Sequence, residues 1–440
     1  MKLSGWGRFP VAECHIAAPR NQEDLLRLAQ SRPLIARGNG RSYGDSSLNS
    51  QLTLDMRRMN HMLVFESETG QLTAEAGVLL SDIIDTFLPR GWFPAVTPGT
   101  KFVTVGGMIA SDVHGKNHHK DGSFGSFLDW VELLTADGEV HRCSRDQNAD
   151  LFEWTLGGMG LTGVILKAAF RLRPVESGWI RQTTVPAANL AEAIDIFEAS
   201  GSSTYSVAWI DCLSSGPSLG RSLVYLGEHA ALTDLPREKL KAPFETPRKR
   251  KLNVPLDAPG FALNHWTVKA FNAVYYKAGH SKSGTQLVDW DTYFYPLDAI
   301  LNWNRIYGRK GFAQFQCVIP LAQSKAGMQA LLEAISATRQ GSFLSVLKRF
   351  GPQDSRFSFP MEGYTLALDF PVNRRSLDLM DKLDQITLAH GGRFYLAKDA
   401  RLKADTLAQS DTRVSQFREM RKSTQAAETF SSAQSDRLAL

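Results

Sequence analysis

Two glycine-laced stretches constrain this chain more than any other part of it: RGNGRSYGD at 37–45 and PGTKFVTVGGMIASDVHGKNHH at 98–119. Gly38, Gly40, Gly44, Gly99, Gly106, Gly107 and Gly115 strip side chains from closely spaced backbone positions. Such a backbone turns sharply and lets a ligand press against the main chain. Amides in turns of this kind form concave anion sites, and a helix opening after Gly107 would add its positive end. The expected ligand is large, flat and negatively charged.

Bulk properties narrow the setting. At 440 residues the chain exceeds one small core, so two domains are expected. Hydrophobic residues make up 43% and charged residues 22%, the balance of an ordinary globular protein. Fifty basic against 45 acidic side chains leave +5, too small an excess to imply nucleic acid. No run approaches the roughly 18 apolar residues of a membrane span. The start, MKLSGWGRFPVAE, lacks the apolar core of a signal peptide, so a cytoplasmic protein is expected. Cys14, Cys143, Cys212 and Cys317 are widely spaced, with no CxxC, and read as buried free thiols.

The first third mixes short strands and turns. LIA at 34–36 reads as a strand entering the first glycine loop. MLVFESETGQLTAEAG and WVELLTADGEVHRC read as hairpins, with turns at Gly70 and at Asp137-Gly138. Ser81 is expected to cap a helix that ends near Pro89 and Gly91. NADLFEWTLGGMG reads as a helix stopped by glycines, and VILKAAFRLRP as a strand. From about residue 177 longer strands alternate with helices: YSVAWIDCL, RSLVYLG, FAQFQCVIP, FLSVLKRF and YTLALDF, with NLAEAIDIFEAS, AGMQALLEAISATRQ and RSLDLMDKLDQITLAHGG. That is an α+β pattern with helices on one face. Residues 230–284 show little periodicity, carry five prolines and several aromatics including Phe261, and read as a long loop insertion. The polar segment from Lys403 is expected to be helical.

Three tempting motifs do not hold. The literal GxGxxG, Gly158 to Gly163, follows a helix and precedes a strand, the reverse of a dinucleotide Rossmann turn. No Walker A sequence is present, because Gly115-Lys116 is not followed by Ser or Thr. His114, His118 and His119 lack a carboxylate or cysteine to complete a metal set, and Lys116 sits among them.

In order along the chain, RGNGRSYGD, PGT followed by VTVGGMIASDVHGKNHH, GSFG, LLTADGE and GGMGLTG resemble the flavin-binding domain of the vanillyl-alcohol oxidase superfamily. The similarity continues through AWIDC, WDTYFYPLD, WNRIYG, GFAQFQCVIP, FLSVLKRFGP and FYLAKDAR, and so spans nearly the whole chain. It implies a two-domain α+β fold. A PCMH-type FAD-binding domain would comprise 1–176 and 393–440, and an antiparallel-sheet substrate domain 177–392.

Carried onto this sequence, the resemblance implies three groups of cofactor contacts. Arg37, Gly38, Asn39, Gly40, Arg41, Ser42, Tyr43, Gly44, Asp45 and Ser46 would wrap the FAD pyrophosphate. Gly99, Thr104, Val105, Gly106, Gly107, Ser111, Asp112, Val113 and His114 would line the pyrophosphate and flavin. Gly163 and Val164, with Tyr395 and Lys398, would close the isoalloxazine site. Relatives that bind flavin covalently through the first loop carry histidine in a GxGHS pattern. Arg41 stands there instead and cannot make that bond, so non-covalent FAD is expected. Mycobacterial relatives have a cysteine where this chain has Ala367, so inhibitors that attack that thiol should not attach.

The chemistry implied is oxidation of the 2′-hydroxyl of a polyprenylphosphoryl-β-D-ribose, with hydride passing to the flavin. Lys398 is the first choice for the cation at the reacting oxygen and His114 the second candidate for the proton role. Gln314 and Gln316 alternate in FAQFQCVIP and would offer amides to a sugar from one face. Lys348 would meet a phosphate or hydroxyl, and Tyr43, Trp209 and Ala367 would pack against the pocket. PRKRK at 247–251 and the aromatics after it suit an anionic lipid surface, implying peripheral membrane contact. An NAD-dependent keto-reductase is the implied partner. A soluble sugar or alditol oxidase of the same superfamily, and a non-enzymatic subunit of the same fold, are the alternatives.

Overall fold

A short parallel sheet brings the first glycine loop into place. Ile35–Arg37 pairs with Thr53–Asp55, which pairs in turn with Ile16–Ala17. The chain then turns at Gly38 to begin the loop. The computed structural model describes all residues except 31–32, 248, 260–263 and 343. The expectations at Arg248, Phe261 and the first residue of FLSVLKRF lie outside the described residues.

Beside it lies a six-stranded antiparallel sheet in the order Val140–Ser144, Leu128–Leu134, Val164–Pro174, Gln71–Glu75 and Met62–Glu66, with Trp92–Pro94 pairing the far end of Val164–Pro174. Both expected hairpins are present; Gly138 takes the left-handed conformation that its tight turn requires, at φ +84°. The helix Leu80–Phe87 begins one residue earlier than Ser81. Leu79 stands at the cap, and the amides of Leu80 and Ser81 donate to Val103 O and Lys101 O. A neighbouring loop therefore does the work expected of the Ser81 hydroxyl, which bonds Asp82 instead.

The second glycine stretch also differs from expectation. Its helix spans Val105–Ala110 with Thr104 as cap, so Gly106 and Gly107 lie inside the first turn rather than before it. The amides of Val105, Gly106 and Gly107 are taken by Val78 O, Ala76 O and Thr104 Oγ1. No free positive end is left for a ligand.

The larger sheet has eight antiparallel strands: Gly284–Asp289, Trp179–Ala187, Ser222–His229, Tyr205–Ile210, Ser345–Phe350, Gly363–Pro371, Phe312–Pro320 and Arg393–Phe394. One face, with Phe315, Cys317, Leu347, Leu366, Leu368, Ala208 and Val224, packs into a continuous core with the helices Leu190–Ala199, Leu321–Thr338 and Arg374–Ala389. Period-two alternation sends the opposite side chains to the other face. Residues 230–284 are not one loop. A 17-residue helix, His265–Ser281, is capped by Asn264 and crosses that other face, with Gly279 against Leu223.

After Phe394 the chain returns to the first sheets. Leu34 N donates to Thr429 O, Ser431 N donates to Leu34 O, and Ala433 N donates to Leu48 O. Helices fill 404–438, as the polar pattern implies. All four cysteines are buried and free. Among the described residues no helix is long and apolar enough to cross a membrane.

Candidate active site

The first loop presents main chain and little else. Among the described residues the amides of Gly38, Asn39, Gly40, Arg41 and Ser42 have no acceptor. Successive half-buried amides without partners call for an anion. The side chains brace the loop from behind. Arg37 donates to Ser47 Oγ at 3.1 Å and Ser4 O at 2.8 Å. Asn39 donates to Phe102 O at 2.9 Å, tying this loop to the second. Arg41 lies over the Trp6 ring at 4.2 Å and faces Phe102. Asp45 pairs with Arg437, and Ser46 is buried. A side chain at Gly38 would meet Thr104 Oγ1 at 2.1 Å, so the two loops touch there.

In the second loop Gly99 opens onto free space. Asp112 does not face outward: its carboxylate accepts from Ser123 Oγ, Gly125 N, Gln353 Nε2 and Ser358 Oγ. It anchors the turn that carries Val113 and His114. Ser111 accepts at its carbonyl from Tyr395 Oη at 3.0 Å. Ser111 and Tyr395, with Gly157, Met159 and Phe359, line a narrow pocket. Gly163 and Val164 do not line it: Val164 is buried in a separate core with Leu25 and Leu54. Gly157 and Met159, in the turn before Gly163, line it beside Tyr395.

His114 is caged by Phe350, Phe359 and Tyr395 and receives the Gln316 amide on Nε2 at 3.1 Å. That leaves its proton on Nδ1. Burial, then Lys348, holds its pKa well below the usual histidine range, so it is neutral. His118 bonds Gln353 and His119 bonds Ser203 O, so the three histidines look to separate partners.

The sheet face opposite the helices forms the floor. Strand register aligns Gln316, Ala367, Val346, Trp209 and Leu223 in one row. Gln314, Asp369, Thr365 and Lys348 share that face by alternation. Trp209 packs on Tyr275 of the crossing helix at 4.8 Å between centroids. Lys398 lies in a turn, not on a strand: its amide donates to Tyr395 O, and Arg393–Phe394 is the last strand before it. Its ammonium sits 3.8 Å over the Tyr43 ring.

Charge on this floor is out of balance. Among the described residues Lys348 and Lys398 have no hydrogen bond or ion pair. Burial pushes Lys348 down to about 8. Burial and then Lys348 push Lys116 down to about 7, and Lys116 donates only to the Tyr293 carbonyl. Burial lowers Lys398, with Asp369 opposing, and burial raises Asp369. Asp369 accepts from Gln314 on one oxygen, and the other has no partner.

Sequence reasoning passed over Lys116 and Asp369. Asp369 follows Ala367 by two on the same strand, so alternation alone placed it on the floor. Lys116 is two residues from His114 in a loop, where no periodicity assigns a direction.

A loop of free amides beside a buried cationic floor is the arrangement a flavin-dinucleotide oxidoreductase needs. A family profile described as an FAD binding domain matches residues 15–144, which contain both glycine loops. Decaprenylphosphoryl-beta-D-ribose oxidase of Mycolicibacterium smegmatis is 36% identical over the whole of this chain and 97% of its own. L-gulonolactone oxidase of Bos taurus is 31% identical over 44% of this chain and 45% of its own. Cytokinin dehydrogenase 3 of Arabidopsis thaliana is 28% identical over 39% and 35%. The full-length match shows that the chain belongs to the decaprenylphosphoryl-β-D-ribose oxidase family. FAD is its cofactor, and the unpartnered amides of 38–42 fit the pyrophosphate.

Proposed function

We propose that this chain oxidises the 2′-hydroxyl of a polyprenylphosphoryl-β-D-ribose to the 2′-ketone. Bound FAD supplies the hydride acceptor. One observation carries the reading: Lys116, Lys348 and Lys398 crowd one floor, and among the described residues none of them forms an ion pair, Asp369 acting on Lys398 through its charge alone. Lys116 and Lys348, to stay charged in that setting, need an anion from outside. Lys116 and Lys348 hold the phosphate. Gln314 and Gln316 orient the sugar hydroxyls, and neutral His114 fixes Gln316. Lys398 faces the reacting oxygen, and its lowered pKa lets the amine take up the hydroxyl proton. The printed activity of the full-length relative supports the same substrate.

The prenyl chain leads toward the crossing helix. Trp266 and Val274 there are 72% and 69% exposed, Leu256 is 77% exposed, and Arg250 and Lys251 lie nearby in sequence, whereas Lys249 is engaged by Asp289 and Asp291. That pairing of apolar and basic groups supports peripheral contact with an anionic membrane face from the cytoplasmic side. The ketone product needs a second hydride donor to become the epimer, which supports an NAD-dependent keto-reductase as partner.

Anaerobic mixing tests the substrate. Polyprenylphosphoryl-ribose should bleach the flavin absorbance, and ribose and alditols should not. Bleaching by free sugars alone would replace this reading with a soluble sugar oxidase. Lys398→Ala should keep yellow FAD and lose the bleaching, whereas normal turnover would remove Lys398 from the mechanism.

A further inference from the structure

The turn that carries Lys398 has few bonds of its own, and the helix Ala433–Leu438 is built into the joint between it and the first glycine loop. Arg437 makes that joint. Its Nη2 and Nε fork across Asp45 at 2.7 and 3.1 Å. The same Nη2 reaches Asp399 Oδ2 at 2.9 Å, and Nη1 donates to Leu402 O at 2.6 Å. Asp45 belongs to the glycine loop, and Asp399 directly follows Lys398. Both carboxylates are buried, at 2% and 7% exposure; Arg437 is the main counter-charge of each, with Arg401 adding to it at Asp399. The other oxygen of Asp399 accepts from the amides of Arg401 and Leu402. Gln434 adds a bond to Leu396 O at 2.8 Å.

The contact between loop and turn is already tight without the arginine. Tyr43 N donates to Ala397 O at 3.0 Å, and a Cβ at Gly44 would stand 2.1 Å from Asp399 O. A small slip of the turn therefore moves Lys398 over Tyr43, the ring it lies against. A lysine at 437 would keep charge but not the fork to two carboxylates.

We propose that Arg437 is a positioning residue, locking the FAD loop against the Lys398 turn so that one buried ion-pair joint sets the place of both. The inference rests on the role given to Lys398 above. Among the described residues its side-chain bonds go to Asp45, Asp399 and Leu402 alone, so no other group of the site is held by this arginine.

A double-mutant cycle on the FAD-loaded enzyme tests it. Arg437→Gln should slow anaerobic flavin reduction by polyprenylphosphoryl-ribose about tenfold or more, with KM changed less than about twofold. Arg437→Lys should fall between. The midpoint potential of the bound flavin, which needs no substrate, should drop in Arg437→Gln, because a displaced Lys398 ammonium no longer stabilises the reduced anion. On a Lys398→Met background, Arg437→Gln should change rate and potential less than about twofold in the corresponding constants. Independent, additive losses in the double variant would overturn the proposal. So would unchanged rate and potential with only a lower melting temperature. If Arg437→Gln fails to hold FAD, the cycle is run with Arg437→Lys and the same outcomes decide. If Lys398→Met alone changes neither rate nor potential, the role of Lys398 fails first, and the Arg437 effect, if present, has another origin.

Discussion

Lys116 and Lys348 carry a pH signature that follows from burial alone. Free lysine titrates near 10.5, and these two fall to about 7 and about 8 in the fold. Below both folded values each is charged in the folded and unfolded chain, and the cost of burying the charge is fully present. As pH rises from 7 toward 10 the unfolded chain binds more protons than the folded one, so this penalty eases and the ligand-free protein gains stability. A phosphate beside them reverses the shift by favouring the ammonium. Binding then takes up protons, and affinity weakens as pH climbs through 7 to 8. KM for the lipid-linked substrate should rise severalfold between pH 7 and 9, and Lys348→Met should raise KM and flatten that slope. Calorimetry at pH 8 in buffers of different ionisation enthalpy should report proton uptake. A KM that ignores pH would remove both lysines from the phosphate site. At this scale the sequence was legible where strand alternation applies: Gln314 and Gln316 share the floor as expected, and Asp369 obeys the same rule. It was not legible where partners come from afar. Ser81 resembles a cap only until Lys101 and Val103 supply the bonds, and the Asp112 carboxylate is consumed by four donors that no local pattern announces.

Strands and helices with one clear face were readable from their periods, which gave five strands of the eight-stranded sheet but not their spatial order or the strands 179–187, 284–289 and 393–394. The helix His265–Ser281 was not, for a physical reason. Only Val268 and Asn272 are buried on it, while Trp266 and Val274 point outward, so apolar residues surround it and the helical period blurs. A helix that spends large apolar side chains on solvent fits a membrane surface better than a second core. Trp266→Asp with Val274→Asp should weaken sedimentation with anionic vesicles while leaving flavin reduction by a short-chain prenylphosphoryl ribose unchanged. Vesicle binding equal to that of the parent protein would remove this helix as the contact. Tyr275 faces the other way, onto Trp209, so the helix joins the candidate membrane surface to the pocket wall.

At the scale of the molecule, the site is the meeting of segments that the sequence keeps far apart: 37–46, 98–119, 395–399 and the helix at 433–438. Each glycine loop could be read alone as an anion site, yet neither reveals that Asn39 binds Phe102 or that Tyr43 binds Ala397. Those bonds make the proposed cofactor site part of the fold's own seam. A ligand that binds such a seam only in the folded state stabilises the whole chain, by about 2.7 kcal/mol at a hundredfold excess over Kd. Arg41 keeps that linkage reversible. Its guanidinium lies on Trp6 and cannot bond the flavin ring, so stability should track free FAD concentration rather than a fixed adduct. The melting temperature should rise continuously as FAD is added to stripped protein. Acid precipitation of the holoenzyme should leave all the flavin in the supernatant. Flavin retained on the precipitated chain, or a melting temperature indifferent to added FAD, would mean that the seam holds its cofactor by a bond that Arg41 cannot supply.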